Sequence, residues 1–211
     1  MKTYASQITL YVFAAITAAA AARGEPTPSA EFAIGHAPQL ARVAVPARSH
    51  VPLTVTSPAF KDGGDIPQEN TQYGANVFPG LSWSRGPNGT RSYVVIVQGD
   101  PVTGNMTSIH LTLLNVPASM TKLGTGMANT PSGAIYGPNV HGLNQRYAGP
   151  HPHTGATQRY HLQVFALDTT LVSEPNQGFE ALESAMTGHV LASGELVGVA
   201  AGPTVGSAHP E

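Results

Sequence analysis

The run Tyr93-Val94-Val95-Ile96-Val97 constrains this chain more than any other feature. Five aromatic or β-branched residues in succession, without helical spacing, read as a central strand buried on both faces. Such a strand needs partners, and the chain supplies them. Ile109 to Val116 (IHLTLLNV) reads as a second core strand, stopped by Pro117. Arg159 to Leu167 alternates, with Tyr160, Leu162, Val164 and Ala166 on one face and His161, Gln163, Phe165 and Leu167 on the other. Leu53–Thr56, Leu81–Trp83 and Gly194–Val199 add shorter strands, bounded by proline and glycine turns. The one good helical window runs from Gly178 to Met186, with Phe179, Leu182, Ala185 and Met186 on one face and Gly188 as a stop. Strands first, one late helix and no βαβ alternation predict a mainly β fold, an antiparallel core with a small C-terminal helix.

The ends read differently. After Met1-Lys2, the residues from Ile8 to Ala22 carry no charge, and Arg23-Gly24-Glu25-Pro26 follow. This is the pattern of a signal peptide over 1–22, shorter than the ~20 apolar residues of a membrane span. Cleavage near Ala22 predicts a periplasmic or secreted protein with no transmembrane anchor. Prolines at 26, 28, 38 and 46, without periodicity, suggest a flexible linker over 23–51. A single domain is then expected over 52–200, followed by a disordered tail over 201–211. Ten basic against twelve acidic residues, with no Lys/Arg run, argue against a nucleic-acid or polybasic membrane footprint. The absence of cysteine excludes disulfides, thiolate zinc sites and thiol catalysis.

Three clusters carry candidate chemistry. Asp100-Pro101 closes the most apolar strand, although Asp before Pro is also an ordinary turn former. Ser108, His110 and Thr112 share the polar face of the next strand, where a histidine must either be satisfied by the backbone or line a cavity. Tyr147 to Tyr160 (YAGPHPHTGATQRY) reads as a restricted loop that can aim backbone N–H groups at an anion. His151 and His153 invite a metal reading, but Pro152 between them speaks against it, so no metal and no cofactor are expected.

Taken in order, these clusters and their neighbours resemble the phosphatidylethanolamine-binding protein family, in its bacterial Raf kinase inhibitor-like branch. The matching residues begin with Ser57-Pro58-Ala59-Phe60, Ile66-Pro67, Gly74, Asn76, Pro79, Leu81 and Trp83. They continue through Asp100-Pro101, His110, Leu114-Asn115-Val116-Pro117-Ala118, Gly149-Pro150, Arg159-Tyr160, Phe165-Ala166-Leu167-Asp168 and Gly188-His189. The resemblance implies an antiparallel Greek-key β core and a small pocket for phosphate, phosphoethanolamine or a similar anion. It implicates Asp100, His110, Tyr147, Gly149, Pro150, His151, Pro152, Gln158 and Tyr160 as ligand-binding. Three positions depart from the family pattern: Val102 replaces the second acid of an Asp-Pro-Asp turn, Gln158 replaces a histidine before Arg-Tyr, and Tyr73 stands where relatives tend to carry Asp.

The expected function is an exported, non-enzymatic binding protein for a small anion of the phosphate or phospholipid-headgroup type, with a partner protein meeting its rim. Two alternatives stand beside it: a protein-interaction inhibitor without a small ligand, and a hydrolase using Ser108, His110 and Asp100. Residues two apart on a strand face lie about 6–7 Å from each other, too far for a nucleophile-to-base hydrogen bond. His110 and Asp100 are expected to share the pocket, the carboxylate keeping the imidazole charged, so that phosphate binds more tightly as pH falls from about 8 to 6.

Overall fold

The computed structural model of the chain describes residues 34–101, 104–127, 129–172 and 178–204. The leader read over 1–22, the first part of the 23–51 segment, Val102 and the tail beyond residue 204 lie outside the described residues. In chain order the elements are β1 (His36–Ala37), α1 (Ala41–Ala44), β2 (Val55–Thr56), β3 (Leu81–Trp83), β4 (Ser92–Gly99), β5 (Thr107–Pro117) and β6 (Lys122–Leu123). Then come β7 (Ile135–Tyr136), β8 (Thr157–Leu167), α2 (Phe179–Met186) and β9 (Val190–Ala201).

The larger sheet runs β1-β5-β4-β8-β9, with β7 also on β5, and the smaller runs β2-β3-β6. All of these strand pairings are antiparallel. Strands β4 and β5 pair as sequence neighbours, whereas β8 returns after β6 and β7 to the other edge of β4, as in a Greek key.

The apolar runs are what place this sheet at the centre. Tyr93 to Val97 are all buried, with alternate residues feeding two cores. Tyr93, Val95 and Val97 pack with Leu81, Trp83 and Leu162 between the two sheets. Val94 and Ile96 pack on the other face with Phe165 and with Phe179, Leu182 and Met186 of α2. The alternation read for β8 holds: Tyr160, Leu162, Val164 and Ala166 face the first core, Phe165 and Leu167 the second.

The flexible linker expected over 23–51 is contradicted from residue 34 onward. β1 pairs His36 with Ser108 and Ala37 with Thr107, while Ala37, Ala41 and Val45 are buried in the second core. Their four-residue spacing gives the arm one apolar side. It also satisfies buried amides: Gln98 Oε1 accepts from the Ala41 N–H at 2.8 Å and Gln163 Oε1 from the Arg42 N–H at 2.9 Å. An unpartnered polar group in that core is costly, so the arm cannot simply be free.

The β4–β5 pairing is irregular at two points. Val97 faces Leu111 but Gln98 faces Ile109, so His110 is an extra residue in β5. A second shift lies near Asn115, which has φ 56°. Such bulges bend a strand and re-aim its side chains.

Candidate binding site

The ends of β4, β5 and β8, together with four loops and the arm, enclose an open cavity of about 340 Å³. Asp100 leaves β4; Ser108 and His110 come from β5; Gln158 and Tyr160 come from β8. His36 enters from the arm, Gln72 and Met106 from loops, and Val140, His141, His151 and His153 from two loops between β7 and β8 that lie along the edge of β5 away from β4. Those loops are tied down by backbone bonds, from the Val140 N–H to the Ile109 carbonyl at 2.9 Å and from the Ala148 N–H to the His110 carbonyl at 2.8 Å.

His110 is the buried pivot. Its Nδ1 lies 2.8 Å from the Ala148 carbonyl and its Nε2 2.9 Å from Ser108 Oγ. A carbonyl only accepts, so Nδ1 carries the hydrogen and Nε2 accepts from the serine hydroxyl. Burial pushes the imidazole down to about 4, against the opposing pull of the Ala148 and Gly149 backbone, and nearby His141 and His36 lower it further. His110 is therefore neutral near pH 7. The expectation that Asp100 keeps it charged fails, because the Asp100 carboxylate is turned to a different ring: its Oδ1 lies 3.0 Å from His161 Nε2. His161 Nδ1 in turn meets Glu195 Oε2 at 3.0 Å, and Glu195 pairs with Arg42. The hydrogen bond from His161, then the Arg42 charge, hold the Glu195 carboxyl below the usual range despite partial burial.

The expected 6–7 Å between Ser108 and His110 is also contradicted. The bulge at His110 breaks the regular pleat on which that spacing rests, and the two side chains meet.

Gln158 is held at both ends. Its Oε1 accepts from the Tyr160 hydroxyl at 2.6 Å, and its Nε2 donates to the Asp100 carbonyl at 2.5 Å. Tyr160 also packs edge-on against His110, with ring centroids 5.0 Å apart, and burial pushes its phenol up. Gly99 supplies the room: a Cβ there would sit 2.7 Å from Ser108 Oγ, 2.8 Å from Gln158 Nε2 and 3.0 Å from Tyr160 Cε1.

Of the nine ligand-binding residues expected from sequence, Asp100, His110, His151, Gln158 and Tyr160 line the cavity. Tyr147, Gly149, Pro150 and Pro152 stand behind its wall. The Tyr147 hydroxyl donates to the Asn70 carbonyl at 2.8 Å and its ring packs edge-on against Phe78. The Gly149 N–H donates to Asn76 Oδ1 at 2.7 Å, and Pro150 accepts from the Gln72 N–H. The Ala148 and Gly149 N–H groups are used inside the wall and Pro150 and Pro152 carry none, so these four residues aim no N–H at the cavity. Tyr73 supports that wall, stacking on His151 at 4.6 Å and donating to the Pro152 carbonyl at 2.5 Å. Sequence reasoning missed His36, Gln72, Met106, Val140 and His141 as lining residues, since none lies in a motif. Among the described residues, no group of three or more His, Cys, Asp or Glu side chains is arranged to hold a metal ion.

Residues 56–201 match the phosphatidylethanolamine-binding protein family. A protein of Methanothermobacter thermautotrophicus named as a UPF0098 protein is 34% identical over 150 residues, covering 70% of this chain and 97% of that one. A Mycobacterium tuberculosis protein named as a lipoprotein, LppC, is 32% identical over 158 residues, covering 72% of this chain and 76% of that one. Among solved structures, Escherichia coli YbcL, described as a new member of the mammalian family, superposes with a TM-score of 0.65 at 27% identity, over 72% of this chain and 99% of that one. The fold class is therefore that of a binding protein with an antiparallel β core and a pocket at the strand ends. The chain belongs to the phosphatidylethanolamine-binding protein family.

Proposed function

We propose that this chain is an exported binding protein whose cavity takes a small phosphate-bearing anion, free or as a headgroup. One observation carries the reading: five imidazoles, from His36, His110, His141, His151 and His153, converge on one cavity whose lining, among the described residues, holds a single carboxylate and no lysine or arginine. The apolar leader and the lipoprotein name of the mycobacterial relative support export.

Neutral His110 keeps its Nε2 lone pair on the Ser108 hydroxyl; near pH 7 a ligand that brings its own hydrogen, as a monoprotonated phosphate ester does, takes that lone pair over and frees the hydroxyl. Ser108 and the Gln158 amide then donate to its other oxygens. A cationic rim draws anions more strongly than a neutral one, and acidification is what makes imidazole cationic, whereas His110 joins only near pH 4 unless the anion raises it.

Calorimetry with phosphate, phosphoethanolamine and sulfate between about pH 8 and 5 tests this. Sulfate keeps its charge across the range, so tighter sulfate binding at low pH reports the protein's own titration. We expect all three to bind more tightly on acidification and the combined His151→Gln/His153→Gln variant to flatten the sulfate profile. No binding of any of the three at any pH overturns the reading.

A further inference from the structure

Nothing in the anion reading requires the contact between Ser108 and His110, and that contact has the features of an activated nucleophile. We propose that Ser108 and His110 form a nucleophile–base dyad that cleaves short-chain acyl esters of acidic alcohols, such as aryl or enol esters.

Four observations support it. The Oγ–Nε2 distance of 2.9 Å falls in the range in which a base accepts a nucleophile's proton. The imidazole is oriented by a third group, the Ala148 carbonyl on Nδ1, which leaves the lone pair at Nε2 facing the hydroxyl. Asp100, the third member expected from sequence, serves His161 instead. The serine opens to solvent through a cavity whose lining includes the apolar Met106, Val140 and Tyr160 ring, suited to a small acyl chain. Finally, the Gln158 amide is fixed by Tyr160 and Asp100, and its Nε2 and Ser108 Oγ are close neighbours, each under 3 Å from where a Cβ on Gly99 would stand. The second Nε2 hydrogen is thus placed to stabilise negative charge on an oxygen bound beside the serine.

The chemistry closes without a further reagent except water. Ser108 Oγ bonds to the acyl carbon while the carbonyl electron pair moves onto oxygen beside Gln158, and the hydroxyl proton passes to His110 Nε2. Collapse of that adduct breaks the ester C–O bond, and the alcohol leaves with the proton from Nε2. Water then attacks the acyl-serine and gives a proton to Nε2. The acid departs as Ser108 Oγ recovers that proton. A base that titrates near 4 is weak but stays unprotonated, so this is a slow hydrolase whose rate is level above about pH 5, unlike an enzyme whose base titrates near neutrality. The dyad occupies the proposed anion cavity but does not depend on anion binding.

The chain has no cysteine, which allows a direct test. The mature protein would be treated with diisopropyl fluorophosphate and, separately, assayed with 4-nitrophenyl acetate. We expect one adduct, located on Ser108 by peptide mass spectrometry, and turnover that is lost in Ser108→Ala and in His110→Gln. Ser108→Cys creates a single thiol. Its alkylation by iodoacetamide should exceed that of the double variant Ser108→Cys/His110→Gln by tenfold or more near pH 7. No adduct, an adduct elsewhere, turnover that survives Ser108→Ala, or equal alkylation of the two cysteine variants overturns the dyad. None of these outcomes bears on sulfate binding by the unlabelled protein, so the two readings fail separately.

Discussion

A missing side chain at residue 99 shapes the cavity as much as any functional group present. Gly99 ends β4 where Ser108, Gln158 and Tyr160 converge, and a methyl there would sit under 3 Å from two of their polar atoms. Gly99→Ala is therefore expected to cost roughly 1–3 kcal/mol through overpacking and to weaken sulfate binding at pH 6 at least tenfold. Gly124, with nothing within 4 Å of a built Cβ, is the control, and Gly124→Ala should leave both properties unchanged. Denaturant melts and calorimetry on the two variants read the contrast. Equal sulfate affinity in Gly99→Ala and the native chain would remove Gly99 from the site.

Helix α2 carries a titrating group unrelated to the cavity. Its apolar side, Phe179, Leu182 and Met186, seals the second core, and Glu183 is left half-buried beside it with Oε1 lacking a hydrogen-bond partner. Burial, with Glu180 one turn away, pushes this carboxyl from its ordinary 4.5 up to about 7. A carboxyl raised on folding weighs against the folded state once pH exceeds its unfolded value, and does so fully above its folded one. Glu183→Gln should thus match the native chain at pH 4 and exceed it at pH 8 by about 1 kcal/mol, after allowance for solvent screening. Denaturant unfolding at the two pH values checks this; equal stability at pH 8 counts against it. The Arg42–Glu195–His161–Asp100 chain works with the opposite sign. Glu195 is held low, so its contribution is present above the usual glutamate range and lost as pH falls through its folded value.

At the scale of the whole molecule, the arm from residue 34 to 45 joins both the core and the cavity. It buries Ala37, Ala41 and Val45, pairs β1 with β5, satisfies Gln98 and Gln163, and brings His36 to the rim. Chains beginning at residue 34 and at residue 46 should therefore differ. We expect the shorter to melt on the order of 10 °C lower, through lost apolar burial and the loss of the backbone N–H that each of the Gln98 and Gln163 amide oxygens accepts. It should also bind sulfate more weakly at pH 6. Equal melting temperatures would show the arm to be an accessory.

The strands were legible in the sequence because their signal is local. Tyr93 to Val97 and the alternation of Tyr160 to Leu167 state their own burial, and Gly178 to Met186 states a helix, since periodicity needs no knowledge of the partner. Asp100, His110, Gln158 and Tyr160, grouped in the sequence through their order along the chain, line one cavity. What tertiary structure alone decided is which groups face each other. A bulge in β5, set by pairing with β4, brought Ser108 onto His110. Packing on the far face of β8 gave Asp100 to His161 instead. The arm's prolines read as a linker because nothing in residues 34 to 45 discloses the half-covered core that their small apolar residues complete. Pairing register, desolvation and the filling of a shared core depend on residues far apart in the chain, so no local reading contains them.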